Sequence, residues 1–127
     1  MDYTIKNLRE VEDQAPGFGL EEIQEARFPR EDLNSETVGL AFHRLKPGKR
    51  QAFAHRHNQA EEVFVVLSGS GRIKLDDTVE EIGPLDAIRI APKVLRALEA
   101  GDEGLEWLAF GPRHGGDGEL VREGFWD

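Results

Sequence analysis

The sequence predicts an all-β fold, an antiparallel sandwich or barrel preceded by a short helical N-terminal segment. Three observations point to it. From Thr37 onward the chain falls into short runs rich in β-branched, aromatic and apolar residues. These are Thr37 to Leu45, Gln51 to His57, Glu62 to Leu67, Arg72 to Leu75, Val79 to Ile82, Ala87 to Ile90, Leu95 to Leu98 and Leu105 to Phe110. The connectors between them are turn chemistry: Lys46-Pro47-Gly48, Ser68-Gly69-Ser70-Gly71, Asp76-Asp77, Gly83-Pro84-Leu85-Asp86 and Gly101-Asp102-Glu103-Gly104. No long helical pattern interrupts the runs, and a parallel sheet needs crossovers of a dozen or more residues.

Each segment then has its own reading. Leu20 to Arg27, with Leu20, Ile23 and Ala26 at helical spacing behind the breaker Gly17-Phe18-Gly19, reads as one or two helical turns. Thr37 to Phe110 forms the barrel core of one domain covering 1–127. The tail Gly111-Pro112-Arg113-His114-Gly115-Gly116-Asp117-Gly118 reads as a flexible link. It leads to an apolar patch, Gly124-Phe125-Trp126, that folds back onto the barrel or onto a partner subunit.

Composition narrows the function. The 127 residues carry 16 Lys plus Arg against 25 Asp plus Glu, a net charge of −9. That argues against nucleic acid, whose binding rests on a basic face, and against an anionic membrane surface. The longest apolar run, Val63 to Leu67, is far too short to span a bilayer, and the N-terminus lacks the apolar stretch of a signal peptide, so the expected location is cytoplasmic. There is no cysteine, which excludes disulfides, thiolate metal sites and cysteine nucleophiles. A metal would have to be held by His, Asp and Glu.

One cluster offers that chemistry. His55 and His57 are two residues apart, so on a strand their imidazoles share a face. Glu62 opens the most apolar strand, on the face of Phe64 and Val66, where a carboxylate needs a partner. Two imidazoles and one carboxylate suit Fe, Mn, Ni, Co or Zn and leave positions open for a substrate, whereas Ca and Mg prefer oxygen shells. Spacing alone also allows the bland reading, two solvated histidines near a loop. Glu61 falls on the opposite face by strand alternation. Phe42, Phe53, Phe64 and Trp107 are core aromatics, with Phe53 and Phe64 expected on a pocket wall as substrate contacts. His43 is either a hydrogen-bonded strand residue or a further imidazole at the barrel mouth, and His114 reads as solvated in a Gly-rich loop. Glu80, Glu81, Glu99, Asp102 and Glu103 read as a solvated acidic surface.

The string Gly48, His55-Arg56-His57, Glu62 after four residues and Gly69 after six more resembles the first motif of the cupin superfamily, although Gly48 stands one residue too far from His55. The resemblance covers about Thr37 to Phe110 and implies a double-stranded β-helix, or jelly-roll, barrel. It implies His55, His57 and Glu62 as metal ligands and a homodimer, for which Val63, Val65 and Leu67 offer an outward face. The second motif departs from the family pattern. In Pro84 to Glu99, Leu85 and Lys93 stand where glycines are expected and Arg96 stands for the last metal-binding His. A guanidinium has no lone pair to donate.

Three readings of Arg96 follow: a clamp for an anionic substrate at the pocket edge beside a bound metal, a replacement for the metal paired with Glu62, or a side chain turned to solvent. The functional expectations are a metal-dependent oxygenase or isomerase acting on a small organic molecule, a metal-free protein in which Arg96 helps to hold a small anion, or, where the barrel is empty or filled by side chains, a dimer without a ligand.

Overall fold

The computed structural model describes residues 1–113 and 115–127, so the expectation for His114 lies outside the described residues. Those residues form strands β1 (Gln24–Arg27), β2 (Val38–Leu45), β3 (Ala54–His57), β4 (Glu62–Leu75), β5 (Thr78–Ile82), β6 (Ala87–Ile90), β7 (Arg96–Pro112) and β8 (Gly118–Val121). One helical turn, α1 (Arg30–Leu33), and two 3-10 turns complete the regular structure. The strand pairings are antiparallel, in the order β1-β2-β7-β3-β8, with β4 joined to β5, β6 and β7. The fold is the all-β curled barrel that the sequence predicts.

The barrel is built around two strands longer than any run read from the sequence. Glu62 to Leu67 and Arg72 to Leu75 are halves of β4, and Leu95 to Leu98 and Leu105 to Phe110 belong to one stretch centred on β7. The first half of β4 pairs with the second half of β7 (Val66 opposite Trp107), and the second half of β4 with the first of β7 (Ile73 opposite Leu98). Ser68 to Gly71 and Gly101 to Gly104, expected as turns, are therefore corners inside strands. The pairing slips between Val66 and Ser68 and again between Gly69 and Gly71. Gly69 and Gly104 have φ of 78° and 81°, and a Cβ on Gly69 would run into the Gly104 carbonyl. Glycine there supplies close approach and left-handed backbone, which bend the pair without ending it.

Two further expectations are corrected. Leu20 to Arg27 is helical only in one turn at its start, where the Leu20 carbonyl accepts from Ile23 and Gln24; Gln24–Arg27 pairs with β2, Ala26 opposite His43, and Asp13 bridges to Arg27 on the other edge. An apolar spacing of three over so short a segment does not decide between helix and strand, and pairing with β2 satisfies the backbone. The tail is not merely a link, because Gly118–Val121 adds a strand to β3. Beyond it Phe125 and Trp126 fold back onto this chain's own barrel, with the Phe125 carbonyl accepting from Lys74 and the Arg50 guanidinium 4.8 Å from the Trp126 ring centre.

Inward residues of the three neighbouring strands β2, β7 and β4 make much of the core: Leu45 from β2, Val66 and Ile73 from β4, and Leu98, Leu105 and Trp107 from β7 are all essentially inaccessible. On the outer face of β4, Leu67 is exposed while Val63 and Val65 are half-buried. Glu99 leaves the acidic surface group, since its carboxylate accepts from Arg50 at 2.5 Å and from Arg72 at 2.6 Å. Burial raises its pKa, and the two guanidiniums outweigh that and lower it.

Candidate metal centre

His55 and His57 project together from β3, as the strand period requires. The strand is held on one side by β8, with His55 opposite Leu120 and His57 opposite Gly118, and on the other by β7, with His55 opposite Arg96. Glu62 enters from the start of β4, which Ile90 of β6 pairs. The Nε2 atoms of His55 and His57 lie 3.3 Å and 3.1 Å from the same Glu62 Oε1. One ligand atom from each of the three residues lies within 4.8 Å of the others, and all three side chains are half-buried. Burial pushes the Glu62 carboxyl up, and the hydrogen bonds and charges of His55 and His57 more than reverse it, holding it well below the usual carboxylate range. The group is therefore an anion.

A fourth participant, Asp117, carries no signal in the sequence. Its side chain is buried at the head of β8, where Oδ1 accepts from the backbone N–H groups of Asn58 and Gln59 at 3.0 Å and 2.9 Å, and Oδ2 from Ala60 at 3.0 Å. It thereby fastens the loop between β3 and β4, which fixes His57 relative to Glu62. Oδ2 also lies 3.4 Å from His57 Nδ1. A carboxylate beside Nδ1 favours the tautomer protonated there, which frees the Nε2 lone pair for a metal ion in place of its hydrogen bond to Glu62. Asp117→Ala is expected to weaken metal binding about tenfold or more and to lower the thermal midpoint, with Asp117→Asn intermediate. Titration calorimetry and thermal unfolding of both variants check this.

Arg96 is fully buried, so it does not face solvent. Its guanidinium makes long hydrogen bonds to the carbonyls of Ala91 (3.2 Å), Pro92 (3.4 Å) and His55 (3.5 Å), and Nη2 lies 4.0 Å from Glu62 Oε1. Burial lowers its pKa, against the charges of Glu62 and Asp76. Arg96 does not line the cavity that the trio borders; its guanidinium is engaged by the backbone carbonyls of Ala91, Pro92 and His55.

The trio forms part of the wall of a cavity of about 380 Å³. Phe53 and Phe64 line it, as do His43 and Trp107. His43 is thus inside the barrel but outside the trio, stacked on Trp107 with ring centres 5.0 Å apart. Burial, with the neighbouring His55 adding to it and Glu62 opposing, pushes its pKa down to about 4. The folded state then resists taking up a proton that the unfolded chain accepts near pH 6.5, so stability falls as pH drops from there toward 4. Between pH 7 and pH 5 the protein is expected to lose about 1–2 kcal/mol more than His43→Gln does, as read by urea unfolding at both pH values.

The cupin-domain family model matches residues 41–111, more than half of the chain. The chain is a cupin. Solved structures agree with this cupin in fold. A cupin protein from Bacteroides fragilis is 22% identical, with a TM-score of 0.71 over 98% of this chain and 96% of that one. The polyketide cyclase RemF from Streptomyces resistomycificus is 19% identical, with a TM-score of 0.76 over 95% of this chain and 87% of that one. Oxalate decarboxylase from Bacillus subtilis is 22% identical with a TM-score of 0.74, and the match spans 93% of this cupin but 33% of that enzyme. Among curated proteins, none matches the sequence.

Proposed function

We propose that this cupin binds one divalent transition metal ion through His55, His57 and Glu62 and acts with it on a small organic molecule, as an oxygenase or an isomerase. The observation that carries this reading is the convergence of two imidazole Nε2 atoms on one carboxylate oxygen at a cavity wall. Nitrogen and carboxylate donors in that combination suit Fe, Mn, Co, Ni or Zn. When bound, such an ion supplies Lewis-acid polarisation of a substrate oxygen and open positions for further ligands. The chain's own residues prepare the site. Glu62 offers a carboxylate oxygen, Asp117 fastens the loop that follows His57, and Phe64 with Trp107 lines the neighbouring wall.

The neighbours in fold include a polyketide cyclase and an oxalate decarboxylase, so fold alone does not choose the reaction. A metal-free reading draws on the 4.0 Å approach of Arg96 to Glu62, which already places a positive charge beside the carboxylate. Titration of chelator-stripped protein with Co(II) and Mn(II) by calorimetry separates the two. The metal reading expects saturation at one ion per chain and loss of binding in the His55→Ala, His57→Ala double variant. No heat in the wild type, or unchanged binding in the double variant, overturns it.

A further inference from the structure

The cavity has a character that the three ligands do not impose. Three of its walls carry alanine at inward positions, Ala26 on β1, Ala41 on β2 and Ala109 on β7, and all three are buried. Larger side chains there would fill the barrel, so these alanines create the space. Phe28, Phe53, Phe64 and Trp107 supply much of the apolar wall of this volume of about 380 Å³, and Gln14, Gln24 and Gln51 add neutral polar groups to it. Among the described residues, the one Lys or Arg on its wall is Arg122, whose guanidinium carbon sits 4.7 Å from the Phe53 ring centre on the exposed end of the tail. Arg96 does not line the space, the Glu62 carboxylate does, and Arg30 and Arg113 line not this space but an adjoining cavity that shares His57 and Glu62 with it.

An apolar chamber with little positive charge penalises a ligand with several negative charges, because each must be desolvated without a partner. The same walls reward a planar, apolar body through area burial and ring contacts. We infer that the chamber takes a ring-bearing, mainly apolar molecule carrying at most one negative charge. Its body lies against Phe53, Phe64 and Trp107, and a single anionic group, where present, meets Arg122 at the mouth. This names the substrate class of the site proposed above and rests on that reading for any chemistry, though not for binding. In the metal-free protein the same walls disfavour a short dianion without a ring, because no positive group on the inner wall meets its charges.

Chelator-stripped protein titrated with 2-naphthol, 2-naphthoate and oxalate tests the inference independently of metal. Both naphthyl probes are expected to bind at one per chain and oxalate to give no heat. Arg122→Gln is expected to weaken 2-naphthoate about two- to fivefold and leave 2-naphthol unchanged, since an exposed charge contributes little. Ala41→Leu, which narrows the chamber, is expected to weaken both naphthyl probes about tenfold or more. Phe53→Ser, nearer the surface, reports the same loss if the Ala41 variant does not fold. Absence of naphthyl binding, naphthyl binding unaffected by both wall variants, or oxalate binding more tightly than 2-naphthoate overturns the inference. Naphthyl binding to protein that takes up no metal sinks the metal reading and leaves the chamber assignment standing. Metal uptake without naphthyl binding does the reverse.

Discussion

Truncation of Arg96 to Ala is expected to lower the unfolding free energy by about 3–5 kcal/mol, the usual cost of leaving one half of a buried charge pair behind. The side chain has no exposed surface. Its removal deprives the carbonyls of Ala91, Pro92 and His55 of a donor and leaves Glu62 without the cation 4.0 Å away. It also opens a hole between the start of β7 and β3, where Arg96 pairs with His55. Arg96→Met keeps most of the volume and removes the charge, so its loss is expected to be smaller. Urea unfolding at constant slope measures both. A cost below about 1 kcal/mol for Arg96→Ala contradicts the role assigned to it as a buried counter-charge.

Glu62→Gln is expected to reduce metal affinity at least 100-fold, roughly the upper end of what losing an outer-shell partner alone costs. The amide retains a carbonyl oxygen but loses the charge, and it cannot offer the anionic oxygen on which both Nε2 atoms converge. The fold is expected to persist at reduced stability, because Arg96 keeps its three backbone acceptors but loses the anion 4.0 Å away. Glu61→Gln is the matched control: that carboxylate lies outside, 3.0 Å from Arg89, and its loss is expected to leave metal binding unchanged. Calorimetric titration of stripped protein with Co(II) reads both variants.

Much of this was legible in the sequence because strand periodicity is a local property. The two-residue spacing of His55 and His57, and the shared face of Glu62, Phe64 and Val66, follow from the pleat, and the structure brings them together. What the sequence concealed depends on contacts between distant segments. Gly69 and Gly104 read as turn residues, yet each lies within a long strand and the two meet at a corner. Gln24–Arg27 is extended because β2 offers an edge, not because its own spacing demands it. Asp117 sits in Gly115-Gly116-Asp117-Gly118, which has the composition of a linker. Its importance comes from three N–H groups nearly sixty residues away in sequence. Arg96 was visible as a departure from the family pattern, but its burial among carbonyls was not, since nothing local says which way a guanidinium turns.

The central claim is that His55, His57 and Glu62 hold one metal ion even though Arg96 stands beside them. Elemental analysis of tag-free protein purified without chelator tests it most directly, with Glu62→Gln and Arg96→His measured alongside. The account predicts close to one Fe, Mn, Ni, Co or Zn per chain in the wild type and loss of that metal in Glu62→Gln. No metal in the wild type together with metal gained in Arg96→His would contradict it and show that the guanidinium has taken the cation's place.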